Sequence, residues 1–167
     1  MGLETDRLRL PLLAAAQAQK EVTHNEALAI ADIAMQAVVQ AVAPAAVPAS
    51  PTPGQCWIVG PSPAGAWAGR AGAIAAWTAG GWRFVAAIAG MQVWSLADNV
   101  VVRRDASSWT VGVVTATSVT IGGQKVLGSH QPRVAIPAAG TVIDVQARAA
   151  IAELIAGLQA HGLFSAT

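Results

Sequence analysis

Ile74-Ala75-Ala76-Trp77-Thr78-Ala79-Gly80-Gly81-Trp82-Arg83-Phe84-Val85 is the stretch on which the fold turns. Two short apolar runs carrying aromatic residues flank Ala79-Gly80-Gly81, a glycine turn, so the segment reads as a β-hairpin. Working outward, Cys56-Trp57-Ile58-Val59 is a short buried run closed by Gly60-Pro61. Downstream, Trp94 and Val100-Val101-Val102 flank an Asp98-Asn99 turn, and Ser107-Ser108-Trp109 closes the region. Val111-Gly112-Val113-Val114 and Ser118-Val119-Thr120-Ile121 are rich in β-branched residues, and Gly122-Gly123 turns the latter into Lys125-Val126-Leu127. All six tryptophans lie between residues 57 and 109, several directly after small or turn residues, as a loose and unevenly spaced hairpin repeat.

Helical patterns bracket this strand-rich centre. Thr23 followed three residues later by Glu26 is a capping-box pattern, which predicts a helix from Thr23 to about Val42. Leu28, Ala31, Met35, Val38 and Val42 would form its apolar stripe, with Asp32, Gln36 and Gln40 as a polar line on an otherwise apolar surface. Pro44, Pro48, Pro51 and Pro53 end it in a stiff linker. Before it, Leu8-Arg9-Leu10 alternates like a short extended piece stopped by Pro11, and Ala14 to Lys20 suits a turn or two of helix. Asp144 is placed to cap a second helix, Val145 to Ala160, with Ile151, Leu154, Ile155 and Leu158 as its stripe and Gly162 after His161 as its stop. Gly157 inside that helix points to a close helix crossing. The expectation is an α+β chain: an N-terminal arm, helix and proline-rich linker over 1–53, a β-rich domain of short antiparallel hairpins over 54–140, and a C-terminal helix over 141–167.

Charge is the unusual quantity. Charged residues make up 11% of the 167 residues and the net charge is +1, against roughly 25% charged in ordinary soluble domains. No basic field exists for nucleic acid. A monomer so poor in charge is poorly protected against self-association, so covered surfaces and a homo-oligomer are expected. The lone Cys56 sits beside Trp57 in an apolar run and reads as a buried reduced thiol. The most apolar helical run, Ala27 to Val42, is interrupted by polar residues and short of the roughly 20 that span a bilayer, and the acidic N-terminal residues make a poor secretory signal. Synthesis in the cytoplasm without membrane insertion follows as an expectation.

Reaction chemistry finds little footing. His24 and Glu26 have no third ligand at a metal spacing. His130 has no acidic neighbour, the serines form no nucleophile elbow, and Asp98 and Asp105 are the best available carboxylate pair for glycoside cleavage. No enzyme, cofactor or metal is expected. The tryptophans carry the remaining possibility, since indole faces stack on sugar rings; Trp67, Trp82 and Trp109, on turns, are the candidate glycan contacts. The competing reading is that they fill a core otherwise built of Ala and Gly.

The polar run Gln17 to Glu26 suits backbone hydrogen bonds that fix how an extended arm enters a helix. Gln17, Gln19, Lys20 and Asn25, with Leu28 and Met35 beside them, are the candidate subunit contacts. The same segment carries a resemblance. Leu10-Pro11, Gln17-Ala18-Gln19-Lys20, Val22-Thr23 and Asn25-Glu26-Ala27, followed by Gly65-Ala66-Trp67 and Gly80-Gly81-Trp82 and ending in Gly140-Thr141-Val142-Ile143-Asp144 and His161-Gly162-Leu163, resemble a family of phage and prophage virion proteins of alphaproteobacteria. A compact chain of this kind is similar to the head-spike components of gene transfer agents. That resemblance implies a structural role in the virion, as a spike base or fibre-anchoring subunit. It also implies capsid and spike-fibre proteins as partners, host capsular polysaccharide as the attachment target, and no catalytic residues.

Overall fold

The computed structural model describes residues 4–14, 20–136, 144–161, 163 and 164. Gln17, Gln19, the side chain of Lys20, and Gly162 lie outside the described residues, as does the Gly140–Ile143 part of the closing motif. The chain forms two compact units, Met1–Val114 and Thr115–Thr167. The boundaries expected at 53/54 and 140/141 therefore do not separate compact units: the N-terminal arm and helix belong with the sheets, and the last hairpin belongs with the C-terminal helix. The class is α+β, with one helix near each end and antiparallel sheets between.

In the first unit, helix α1 (Lys20–Ala34) leads into the short strand β1 (Val38–Val39). The helix therefore starts before Thr23, which lies inside it and exposed, and ends well short of Val42. Two β-branched residues explain the early stop. Val38 and Val39 gain ladder bonds by pairing in parallel with Trp94 and Ser95 of β5 (Gln92–Ser95), which the helix would forgo. Gln36, at φ 46°, makes the left-handed exit that glycine more often provides.

A four-stranded sheet has the order β1-β5-β6-β7, with β6 at Val100–Arg104 and β7 at Trp109–Val111. Val113 and Val114, expected in a strand, lie past the end of β7, where Gly112 at φ 68° turns the chain out of the ladder. A three-stranded sheet has the order β2-β3-β4: Cys56–Ile58, Ile74–Thr78 and Gly81–Val85. The hairpin forms where its sequence places it, with Thr78 opposite Gly81. The Thr78 hydroxyl ties the turn, donating to the Gly81 carbonyl (2.8 Å) and accepting from Gly80 N–H (3.2 Å).

The segment after β1 joins the sheets. The Gln40 and Ala43 N–H groups donate to the carbonyls of Cys56 and Ile58, and Ala41 accepts from Ile58, while Ala97 N–H on the other side donates to Gln40. One core cluster draws on both sheets and the helix end: Ile33, Ala37, Val39, Cys56, Ile58, Ile74, Ala76, Val85, Val93 and Val102. Alternation along the strands sends Trp57, Ala75, Trp77, Trp82 and Phe84 to the opposite face of the three-stranded sheet.

The second unit contains the hairpin β8–β9 (Val119–Ile121 and Gln124–Leu127) and helix α2 (Val145–Ala160). Asp144 caps α2 as its sequence predicts, its side chain accepting from Ala147 N–H at 2.9 Å. At the other end Leu163 N–H donates to the Leu158 carbonyl. All seven strand residues are exposed, and Ile155 is the buried residue of α2. Nothing approaches within 4 Å of the position a Cβ would take on Gly157, so the close crossing expected there does not occur among the described residues.

Candidate functional site

Three arrangements in the first unit bring polar or aromatic side chains together, and each begins from a local sequence feature. The first is aromatic. Ala75, without bulk, sits between Trp57 and Phe84 across the strands, which leaves room for indoles to crowd above it. The single-turn 3-10 helix Gly65–Trp67 then lays Trp67 over the same face. Trp82 is the hub. Its ring lies 5.2 Å from Trp67 at 85°, 5.1 Å from Trp77 at 70° and 5.7 Å from Trp57 at 68°. It also stacks at 6.5 Å and 26° on Phe84. Edge-to-face contacts of this kind place positive ring edges on negative faces. Trp57 and Trp67 are buried, whereas Trp77, Trp82 and Phe84 are half-buried and present ring surface to solvent. The Trp67 indole Nε1 is buried with no hydrogen-bond acceptor among the described residues.

The second arrangement is a pair of clefts on either side of Arg104. One, of about 390 Å³, is lined by Val42, Ile58, Pro61, Gly72, Ser108 and Trp109 among others. The other, of about 260 Å³, is lined by Arg70, Ala73, Phe84 and Ala87 with the same Gly72 and Arg104. Trp109 is pinned by its indole N–H, which donates to the Gly72 carbonyl at 2.9 Å. The Arg104 guanidinium lies 5.9 Å from the Trp109 ring centre, and that of Arg70 lies 5.0 Å from Phe84. Gly72, at φ +74°, is required here: a Cβ at that position would stand 3.2 Å from the Arg104 guanidinium. Next along the chain, Asp105 is held by the Thr110 hydroxyl and by Arg103 (2.9 Å), and these hydrogen bonds keep its carboxyl below the usual carboxylate range.

The third arrangement anchors the N-terminal arm. Asp32, expected on an exposed polar line, is buried instead. Its carboxylate accepts from the Thr5 hydroxyl (2.8 Å) and from the backbone N–H groups of Arg7 (3.0 Å) and Leu8. The Arg7 guanidinium donates in turn to the carbonyls of Asp32, Ile33, Met35 and Gln36, the groups a helix leaves unsatisfied at its C-terminus. Asn25 clamps the arm at a second point, accepting from Leu13 N–H (2.9 Å) and donating to its carbonyl (3.0 Å). Glu26 does not close a capping box; it pairs with Arg83 of β4 at 3.0 Å. A cleft of about 350 Å³ lies among these groups, lined by Glu4, Asp6, Asn25, Glu26, Asp32 and Arg83.

Residues 24–110 match the family described as protein of unknown function DUF2793. The chain belongs to the DUF2793 family. Its match runs from within α1 into β7, so the DUF2793 segment takes in both sheets, the aromatic face and both Arg104 clefts. The β8–β9 hairpin and α2 follow it. The comparison with curated proteins found no match to this DUF2793 chain.

Of the candidate glycan contacts in this DUF2793 chain, Trp82 and Trp109 are half-buried, the first on the aromatic face and the second in the larger cleft. Trp67 is not a surface residue: at 3% exposure it is packed beneath the loops that follow β1 and β2. Its position after Gly65-Ala66 suggested an exposed turn, but the turn folds inward onto the sheet. Of the candidate subunit contacts, Met35 is exposed and Leu28 half-buried, while the Asn25 amide is occupied by Leu13. Arg70, Arg104, Asp32 and Arg7 were missed by sequence reasoning. A signal for Asp32 existed in its isolation among apolar neighbours on a short helix; nothing local marks the two arginines. Among the described residues no group of three His, Cys, Asp or Glu side chains is placed to hold a metal.

Proposed function

We propose that this DUF2793 chain is a structural virion subunit, a head-spike base or fibre-anchoring component of a phage-like gene transfer agent particle. In this reading it works as a homo-oligomer beside capsid and spike-fibre proteins and supports attachment to host surface polysaccharide. The observation that carries the assembly part is the second unit. Ile121, Val126, Leu127, Leu154 and Val145 are each about half or more exposed on a hairpin and helix that bury Ile155 alone in α2. Apolar surface on that scale marks an interaction site, and a chain with 11% charged residues has little else to keep copies apart. The resemblance of the arm-and-helix motif to virion proteins supplies the setting.

Light scattering on the size-fractionated full chain tests assembly. The expected result is a defined oligomer, shifted toward monomer by I121K together with L154K while the tryptophan fluorescence of the first unit is unchanged. A well-folded monomer at micromolar concentration would count against the reading. Particles made with and without the chain, compared by cryo-microscopy, test its place: the expected loss is density at the capsid vertices.

A second reading, a carbohydrate-binding module, is favoured by the ring surface that Trp77, Trp82 and Phe84 turn to solvent. Titration with host capsular polysaccharide, followed by tryptophan fluorescence, should then give a response that W82A and W109A diminish. Binding unaffected by either substitution would remove it.

A further inference from the structure

Arg70 and Arg104 stand out because each guanidinium lies beside an aromatic ring and neither pairs with a carboxylate. Ion pairs among the described residues include Arg9 with Glu4, Arg83 with Glu26 and Arg103 with Asp105. Neither Arg70 nor Arg104 joins an ion pair or makes a side-chain hydrogen bond there, and no acidic residue lines either cleft beside Arg104. The carboxylate next in sequence, Asp105, is already taken by Arg103 and Thr110.

Both arginines nonetheless lie beside aromatic rings, at 5.0 Å from Phe84 for Arg70 and 5.9 Å from Trp109 for Arg104. The loop that carries Arg70 is tied at both ends, Arg70 N–H donating to the Trp67 carbonyl and Ala73 N–H to the Arg70 carbonyl, and Gly72 N–H reaches Val59. Arg104 leaves β6 and lies against Trp109 and the bare Gly72 backbone. A guanidinium laid on an aromatic face keeps its N–H fork directed outward, in the geometry that receives a carboxylate bidentately. The aromatic face continues from the same place: Arg70 covers Phe84, Phe84 stacks on Trp82, and Trp82 meets Trp77.

We infer that the cleft between Arg70 and Arg104 is a carboxylate site for an acidic saccharide, with the uronate group on the two guanidiniums and neighbouring sugar rings on Phe84 and Trp82. This deepens the saccharide-binding reading and rests on it; the assembly role does not enter. An acidic peptide supplies the carboxylate but has no flat C–H face for the neighbouring half-buried rings of Phe84 and Trp82, which is why the observations favour a sugar.

The probes are hexagalacturonate and a hyaluronan hexasaccharide as uronate chains, cellohexaose as a neutral chain, and hexaglutamate as the peptide alternative. Each is titrated calorimetrically into the full chain at low and at physiological salt. The expected result is binding of at least one uronate chain, ten-fold or more tighter than cellohexaose and weakened by salt. R70Q and R104Q should each weaken it about ten-fold, the cost of one charge-assisted pair. R104K tests the fork: it keeps the charge, and should recover only part of the affinity. Arg70 is exposed, so R70Q reports even where R104Q disturbs the Trp109 loop. Cellohexaose binding as tightly as the uronates, indifferent to both arginines, would overturn the carboxylate site and leave the saccharide reading standing. Failure of all three saccharides would remove both, and equal or tighter binding of hexaglutamate would overturn the choice of a sugar.

Discussion

Asp32 offers the sharpest test of how the N-terminal arm is held. D32A removes a carboxylate that is 3% exposed and that receives the Thr5 hydroxyl and the N–H groups of Arg7 and Leu8. Hydrogen bonds to a charged acceptor are worth about 1.5–3 kcal/mol each, and a buried donor left alone costs about 1–3 kcal/mol. Three such losses would sum to about 4.5–9 kcal/mol if the arm stayed in place. It need not: residues 4–14 can leave and return those donors to water, so the loss is limited to what docking of the arm contributes. With Asn25 still clamping Leu13, we expect about 3 kcal/mol from urea unfolding. Hydrogen exchange separates the two outcomes. In D32A the amides of Arg7 and Leu8 should lose protection while those of β3 and β5 keep theirs. T5A removes the hydroxyl that donates to Asp32 and accepts from Leu10 N–H (3.0 Å), and should cost about 1 kcal/mol on the same scale. A D32A chain destabilised by less than about 1 kcal/mol, with Arg7 and Leu8 still protected, would refute the anchor.

Further expectations follow from the cores and the titrating groups. W82A removes the ring that four others touch and should cost about 3 kcal/mol in urea unfolding, at the lower end for a buried aromatic because Trp82 is half-exposed. Cys56 is 1% exposed, and burial pushes its thiol up to about 11. A thiol reagent at pH 8 should therefore react only as the chain unfolds, with a rate that rises in denaturant. Asp105 should titrate below 3.8, its usual value. A depressed carboxyl stabilises the fold above its unfolded value, and that contribution is lost as the pH falls below about 4 through the lowered folded value. Carbon-13 NMR should place the midpoint below 3.8, and T110V and R103Q should each move it up, the first by removing the largest single cause and the second by removing the Arg103 hydrogen bond together with its charge.

The hairpin was legible because Gly80-Gly81 and the flanking aromatic runs agree on one local structure. The Asp144 cap and the second helix were legible for the same reason. Where local and distant preferences diverge, the sequence misleads. Thr23 and Glu26 have the spacing of a capping box, but Arg83, far along the chain, takes the Glu26 carboxylate. Val38 suits a helical stripe as well as a strand, and the strand wins only because β5 offers it a ladder. Asp32 looked solvent-facing because its partners, the backbone groups of Arg7 and Leu8, have no signature of their own. The candidate site was half legible. Trp82 and Trp109 could be named from their turns, whereas Arg70 and Arg104 come to line one cleft only when the loop before β3 meets the end of β6 at Gly72.

The segment that joins the two sheets also sets a timetable. Val38 pairs with Trp94, so the first sheet cannot assemble until the chain has been made past β5. Closing a loop of roughly fifty residues costs more entropy than a hairpin does, and the ladder that rewards it is two residues long. At synthesis rates of about 5–20 residues per second, the stretch from the end of β4 at Val85 to the end of β5 at Ser95 takes about 0.5–2 seconds, with α1 and the β3–β4 hairpin available but the shared core open. Val39, Ile58 and Ile74 stand unprotected for that interval, in a protein already short of charge. The short strand β1 thus waits on β5, and the moment before it docks is when copies of this chain are most exposed to one another.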